Sequence, residues 1–241
     1  MNDKRTALCF VGTARSIQHT HQNLKDCLIN TIEDCDVFVF LAKNDHANKF
    51  SDYFNDTTQI KNITIEDEPE YDLEGIIFRP QWPNKNSSRQ IYIKMINSRQ
   101  RAFEILSLYE KENNVEYNKI IFSRLDVKYF DDVGLYVNDI SLDSLYVPDF
   151  HNTFGGAING FNDRFAVGDR KNMEIYFSVP NSIIPYNKAG SKISAESLLK
   201  YHLETNGVPV KKLPIRFTRV RSNGDAIDMR LANQMLELRD T

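Results

Sequence analysis

Residues 7–41 read ALCFVGTARSIQHTHQNLKDCLINTIEDCDVFVFL, and the punctuation of this stretch decides the fold. Ala7–Val11 is an apolar run long enough for a buried strand and too short for a signal-peptide core. Gly12-Thr13-Ala14-Arg15-Ser16 then turns the chain. Leu24, Leu28 and Ile32 recur at helical spacing, which predicts a helix over about Gln22–Ile32. Asp36–Leu41 has the β-branched and aromatic content of a second strand. Strand, turn, helix, strand is the opening of a parallel α/β sheet.

Beyond this unit the pattern continues. A weaker strand is expected at Ile60–Ile65, and Pro80, Pro83 and several Asn and Ser residues mark residues 79–89 as a loop. A long amphipathic helix is predicted over about Ser88–Asn113, with Ile91, Met95, Ala102, Ile105, Leu106 and Tyr109 on its apolar face. Lys119–Ser123 reads as a third strand and Leu145–Pro148 as another short one. Residues 151–165 form a loop rich in Gly, Asn and Phe, and Ala166-Val167-Gly168 leads into a helix over about Arg170–Phe177. Ser194 is placed to cap a helix that Asn206-Gly207 stops. Val208–Phe217 reads as a final strand region, and the polar tail from Ser222 as a terminal helix.

The 241 residues carry 41% hydrophobic and 26% charged side chains, with a formal net charge of -3. That balance belongs to a globular chain and gives no broad basic surface, so nucleic-acid binding through phosphate neutralisation is not expected. No stretch approaches the roughly 18 apolar residues of a membrane span. With no leader-like segment and three cysteines, Cys9, Cys27 and Cys35, reduced thiols and a cytoplasmic location are expected.

Chemistry concentrates in five places. The third strand exits through Arg124-Leu125-Asp126, at the end of a strand where open α/β sheets bind ligands. A carboxylate there can hold a divalent cation against a diphosphate, with Arg124 as a fixed forked cation; equally, the two can form an ion pair. Gly12 allows close backbone approach and sets Arg15 at the sheet edge, although GxGxxG and P-loop patterns are absent. Asp163 is either a general base toward an acceptor hydroxyl or a turn-forming Asp. Glu196 is either catalytic or a first-turn carboxylate favoured by the helix dipole. Arg216, Arg219 and Arg221 either close over a diphosphate or form a solvated edge. The histidines include no HExxH pair.

These motifs fall in one order: Gly12-x-Ala14-Arg15, then Gln90-x-Tyr92-x-Lys94-Met95, Arg124-x-Asp126, Asn162 to Gly168, Ala195 to Leu199, and Asn206 to Val208. The order, from about Ala7 to Arg221, resembles the small GT-A glycosyltransferases of large DNA viruses of algae and of related bacterial and plant proteins. The resemblance implies one GT-A-like α/β domain over residues 1–241, with a mixed, mostly parallel sheet flanked by helices. Its donor-binding part would be about 1–130 and its acceptor-side part about 131–241. It implies sugar transfer from a nucleotide-sugar donor, a UDP-sugar, to a glycan or other hydroxyl acceptor, assisted by Mn2+ or Mg2+. The turn Gly12-Thr13-Ala14-Arg15 matches the nucleotide-binding turn, and Lys94 matches a residue near the donor. In that family a D-x-D motif bridges ribose, metal and diphosphate; here Arg124 replaces its first Asp, leaving Asp126 as the metal ligand. Asp163 matches the position of an inverting base, and Glu196 a carboxylate near sugar or acceptor. Two other readings stand beside this one. A nucleotidyltransferase acting on a sugar phosphate would want several carboxylates around two metals, with Asp131 and Asp132 near Asp126. A non-catalytic nucleotide- or glycan-binding module would use the aromatic, Gly-rich loop.

Overall fold

The computed structural model describes residues 5–78, 86–150 and 160–226. The terminal helix expected after Ser222 falls mostly on residues outside these, as do His151 and residues 151–159 of the Gly-rich loop. Nine strands are described: β1 (Thr6–Gly12), β2 (Cys35–Ala42), β3 (Ile60–Glu66), β4 (Lys119–Arg124), β5 (Val127–Tyr129), β6 (Leu145–Pro148), β7 (Phe165–Asp169), β8 (Val210–Leu213) and β9 (Phe217–Arg219). The α-helices among the described residues are α1 (Ile17–Cys27), α2 (Phe50–Tyr53), α3 (Asn86–Asn113), α4 (Gly134–Val137), α5 (Arg170–Phe177), α6 (Ile183–Lys188) and α7 (Ala195–Thr205). None of them is long and apolar enough to cross a membrane.

Seven strands form one sheet in the order β3-β2-β1-β4-β7-β6-β8. β1 to β4 pair in parallel, and β7 runs against both β4 and β6. The expected mixed, mostly parallel α/β sheet is therefore present. Central parallel strands are buried on both faces because helices cover both, which is why β1 and β2 read as continuous apolar runs. Ala7, Cys9, Val11, Phe38, Phe40, Ile120 and Phe122 pack under α3, α5, α6 and α7. Leu8, Phe10, Val37, Val39, Leu41 and Ile121 pack on the other side against α1, α2 and α4.

Three local differences from the sequence expectation have physical causes. The first helix spans Ile17–Cys27 and not Gln22–Ile32. A 3-10 turn at Ala14–Ser16 leads straight into it, so Ile17, Thr20 and Leu24 make its buried stripe. Leu28 to Ile32 leave the helix, and Asp34 at φ 44 reverses the chain into β2. The final strand region is split, because Pro214 has no N–H for a ladder. β8 stays in the main sheet, while β9 leaves it to pair with β5. Finally, Ala166-Val167-Gly168, expected to lead into a helix, lies in the antiparallel strand β7 (Phe165–Asp169). The α7 signals are realised: Ser194 Oγ accepts from Ser197 N–H, and Gly207 takes φ 67 at the stop.

Candidate functional site

A cavity of about 340 Å3 opens at the carboxyl ends of β1, β2 and β4. Gly12, Thr13 and Arg15 line it after β1, Asn44 to His46 after β2, Arg124 to Asp126 after β4, and Met95, Ser98 and Arg99 from α3. Gly12 sits at φ 138, a conformation side-chain-bearing residues rarely adopt, so the turn after β1 depends on glycine. Arg15 is exposed, and its Nε donates to Thr13 Oγ1 at 3.0 Å, which fixes the guanidinium beside the cavity. Gly12, Thr13, Arg15, Arg124 and Asp126, singled out in the sequence, all border this one cavity.

Arg124 and Asp126 form a two-pronged ion pair. Arg124 Nε donates to Asp126 Oδ1 at 2.8 Å and Nη2 to Oδ2 at 2.6 Å. Burial pushes the Asp126 carboxyl up, but the Arg124 guanidinium beside it, together with Arg219 and Arg164, holds the group below its ordinary range. Burial likewise works against the Arg124 charge, and Asp126 more than restores it. The main chain of Asp126 accepts from Val220 N–H at 2.8 Å, so the residue just after β9 braces the turn. As a metal site this donor set does not fit. Both carboxylate oxygens already face a guanidinium, and the described residues contain no group of three His, Cys, Asp or Glu side chains placed to share an ion.

Behind Arg124 lies a second layer of charge, and the antiparallel course of β7 puts it there. Phe165 pairs with Ser123 at the carboxyl end of β4, so residues 162–164 arrive beside Arg124. Arg124 N–H donates to Arg164 O at 3.1 Å. Asp163 is buried in an ion pair: Arg99 Nη2 lies 2.7 Å from its Oδ2 and 2.9 Å from its main-chain oxygen. Burial opposes the Asp163 charge, but Arg99, Arg164 and Arg124 hold the carboxyl well below its usual range. So placed, Asp163 anchors Arg99 and is a poor proton acceptor. Glu196, in the first turn of α7, is the opposite case. Burial first, and the Asp163 charge second, raise its carboxyl above the ordinary value. Arg164 faces it at 3.8 Å. Gly160 makes the approach possible: a Cβ there would come within 2.6 Å of Glu196 Cβ. Phe161 N–H donates to Glu196 O at 3.0 Å.

Other expectations are placed elsewhere. Lys94 does not border the cavity; its ammonium meets Glu70 at 2.5 Å. Of the three late arginines, Arg219 interacts with Asp126, Arg164 and Glu196, whereas Arg216 pairs with Asp149 and Arg221 is exposed. Ile91, expected on the apolar face of α3, is 61% exposed and borders the cavity instead. Arg99 and Arg164 were not singled out. Arg99 carries a legible signal, since it continues the Met95 stripe by four residues, and a charge on a buried helix face needs a partner.

The fold is thus an α/β sheet covered on both faces, with a cavity lined by Arg15, Arg99 and Arg124 at the carboxyl ends of its parallel strands. Over residues 1–223 the sequence matches the family described as domain of unknown function DUF7796, and the chain belongs to that family. No curated protein matches it. Solved structures of similar course include the following two. One is the apo form of the glycosyltransferase GlyE of Streptococcus pneumoniae TIGR4, at 12% identity and a TM-score of 0.44. That match covers 87% of this chain and 45% of the other, so the chain spans less than half the length of that structure. The other is a putative glucose-1-phosphate thymidylyltransferase from Bacillus anthracis in complex with a sucrose. Its identity is 11% and its TM-score 0.47, over 96% of this chain and 94% of that one.

Proposed function

We propose that this protein is a glycosyltransferase that moves a sugar from a nucleotide-sugar donor, a UDP-sugar, to a hydroxyl group of a glycan acceptor. The observation that carries the reading is the meeting of Gly12–Arg15 and Arg124–Asp126 in one cavity at the carboxyl ends of β1 and β4. Open α/β sheets take nucleotides at that end of their strands. The order of motifs along the chain supports the same reading.

In this proposal residues 1–130 supply the donor half and residues 131–241 the acceptor half of one domain. The glycine-dependent turn lets the nucleotide approach the backbone, and Arg15 and Arg124 meet the diphosphate. Glu196, with its raised carboxyl, is the group suited to take the proton of the attacking hydroxyl. The acceptor oxygen bonds to the anomeric carbon as the sugar–phosphate bond breaks. The nucleoside diphosphate leaves with the electron pair, and the proton passes to Glu196. Asp163 stays ionised against Arg99 and holds that wall in place.

A panel of nucleotide sugars with mixed glycan acceptors tests this. Release of free nucleoside diphosphate, with one donor standing out, is the expected result. Release of pyrophosphate from UTP and a sugar 1-phosphate would replace it with a nucleotidyltransferase. A rise in melting temperature with nucleotide sugars but no turnover would leave a binding module.

A further inference from the structure

We propose that the donor diphosphate is held by the guanidinium group of Arg124, with its departing charge met also by Arg164 and Arg219 in the layer behind it, without a divalent cation at Asp126. This rests on the nucleotide-sugar reading above and adds to it the chemistry of the diphosphate site.

The first observation is Arg124 itself. Asp126 takes its Nε and Nη2, and this two-pronged grip fixes the plane of the guanidinium. Its remaining nitrogen, Nη1, meets the Met95 sulfur at 3.5 Å. A thioether is a weak acceptor that a phosphate oxygen readily displaces. Arg124 and Met95 both border the cavity. Asp126 is therefore a positioning residue, and the permanent cation beside it stands where an ion would otherwise be needed.

The second observation is Arg164. It is 7% exposed, yet its Nε and Nη1 have no hydrogen-bond acceptor among the described residues. Asp163 and Glu196 face it only at 3.8 Å. Burying a guanidinium with donors unmet is costly, and an arriving oxyanion would offset that cost. The third is the charge count around it. Arg99, Arg124, Arg164 and Arg219 interact with Asp126, Asp163 and Glu196, so four cations meet three carboxylates among the described residues. The excess is positive, as a diphosphate requires.

Isothermal titration of the full chain with UDP, and separately with inorganic pyrophosphate, in EDTA and then in MnCl2, tests the proposal. Both anions are expected to bind in EDTA, with affinities changed less than about threefold by Mn2+. Arg164→Gln should weaken both at least about tenfold, the worth of one charge-assisted hydrogen bond, with little change in melting temperature. If Arg164→Gln does not fold, Arg124→Lys carries the same expectation, because lysine cannot keep the Asp126 grip and a free donor together. Binding seen only with Mn2+, binding absent in both buffers, or full affinity in a folded variant would overturn the proposal. Pyrophosphate binding in EDTA with no preference for UDP would instead uphold the anion site and remove the nucleotide reading.

Discussion

Replacing Asp163 by Asn keeps the shape of the buried wall and removes one charge from it. Arg99 then loses the charge of the partner at 2.7 Å and keeps the main-chain oxygen at 2.9 Å and a neutral amide in place of the carboxylate. Its guanidinium lies over the rings of Phe122 and Tyr176, at 5.2 and 5.7 Å, where water cannot stand in for the lost carboxylate. Arg164 loses one of the two carboxylates that face it. Breaking a buried pair from one side costs about 3–5 kcal/mol, and the retained amide hydrogen bond favours the lower end, about 3 kcal/mol. Unfolding entropy near 2.1 cal/mol/K per residue makes each kcal/mol worth about 2 °C in a chain of 241 residues, so the melting temperature should fall by about 6 °C. Calorimetry and urea titration followed by circular dichroism measure this. Adding Arg99→Met should recover much of the loss, since removing both charges leaves none buried alone. The pH dependence follows as well. The folded Asp163 carboxyl lies below its ordinary value, so its contribution is complete above about pH 4 and is lost as the pH falls below that. That acid limb should be shallower in Asp163→Asn. A drop under about 2 °C, or a double variant whose loss equals the sum of the two single ones, would refute the anchoring role.

Three other substitutions probe the site and its support. Glu196→Gln should lower the turnover rate at least about a hundredfold while melting no lower than the parent, because a carboxyl whose folded value is raised holds its charge at a cost at neutral pH; an activity loss matched by unfolding would count against the base assignment. In the parent, the rate should rise with pH through a value above that of free glutamate, about 4.3. Gly160→Ala puts a Cβ 2.6 Å from Glu196 Cβ and 2.7 Å from its main-chain carbon, so it should cost about 1–3 kcal/mol and reduce transfer, read by melting and by diphosphate release. His202 is buried between Ser182 Oγ at 2.7 Å and Ile175 O at 2.6 Å, and burial lowers its value, so stability should fall as the pH drops below about 6.5. His202→Asn should flatten that slope in melting curves taken between pH 5 and 7.5; an unchanged slope would point to another group.

Periodicity found the parts of the fold that depend on one element at a time. The apolar runs of β1, β2 and β4 are continuous because both faces are covered, and such runs are visible without knowing what covers them. The caps at Ser194 and Gly207 are local chemistry and were read as such. β7 is not legible as a strand in the sequence: it is five residues long, it ends in Gly168-Asp169, and its partners β4 and β6 come from elsewhere in the chain. The boundary of α1 also moved, since which apolar residues face inward depends on where the turn after Gly12 releases the chain.

By itself the sequence determined an α/β sheet and picked out Gly12, Arg15, Arg124 and Asp126 at the ends of its strands, because strand ends and glycine turns are written in adjacent residues. It left open whether Arg124 and Asp126 make an ion pair or a cation site. Only the tertiary structure paired them, turned Lys94 toward Glu70, and drew Arg99, Asp163, Arg164 and Glu196 from three distant segments into one charge cluster. The physical reason is that charge compensation in a buried site is set by distance in space. The antiparallel entry of β7 beside β4 creates those distances, and no local pattern records them.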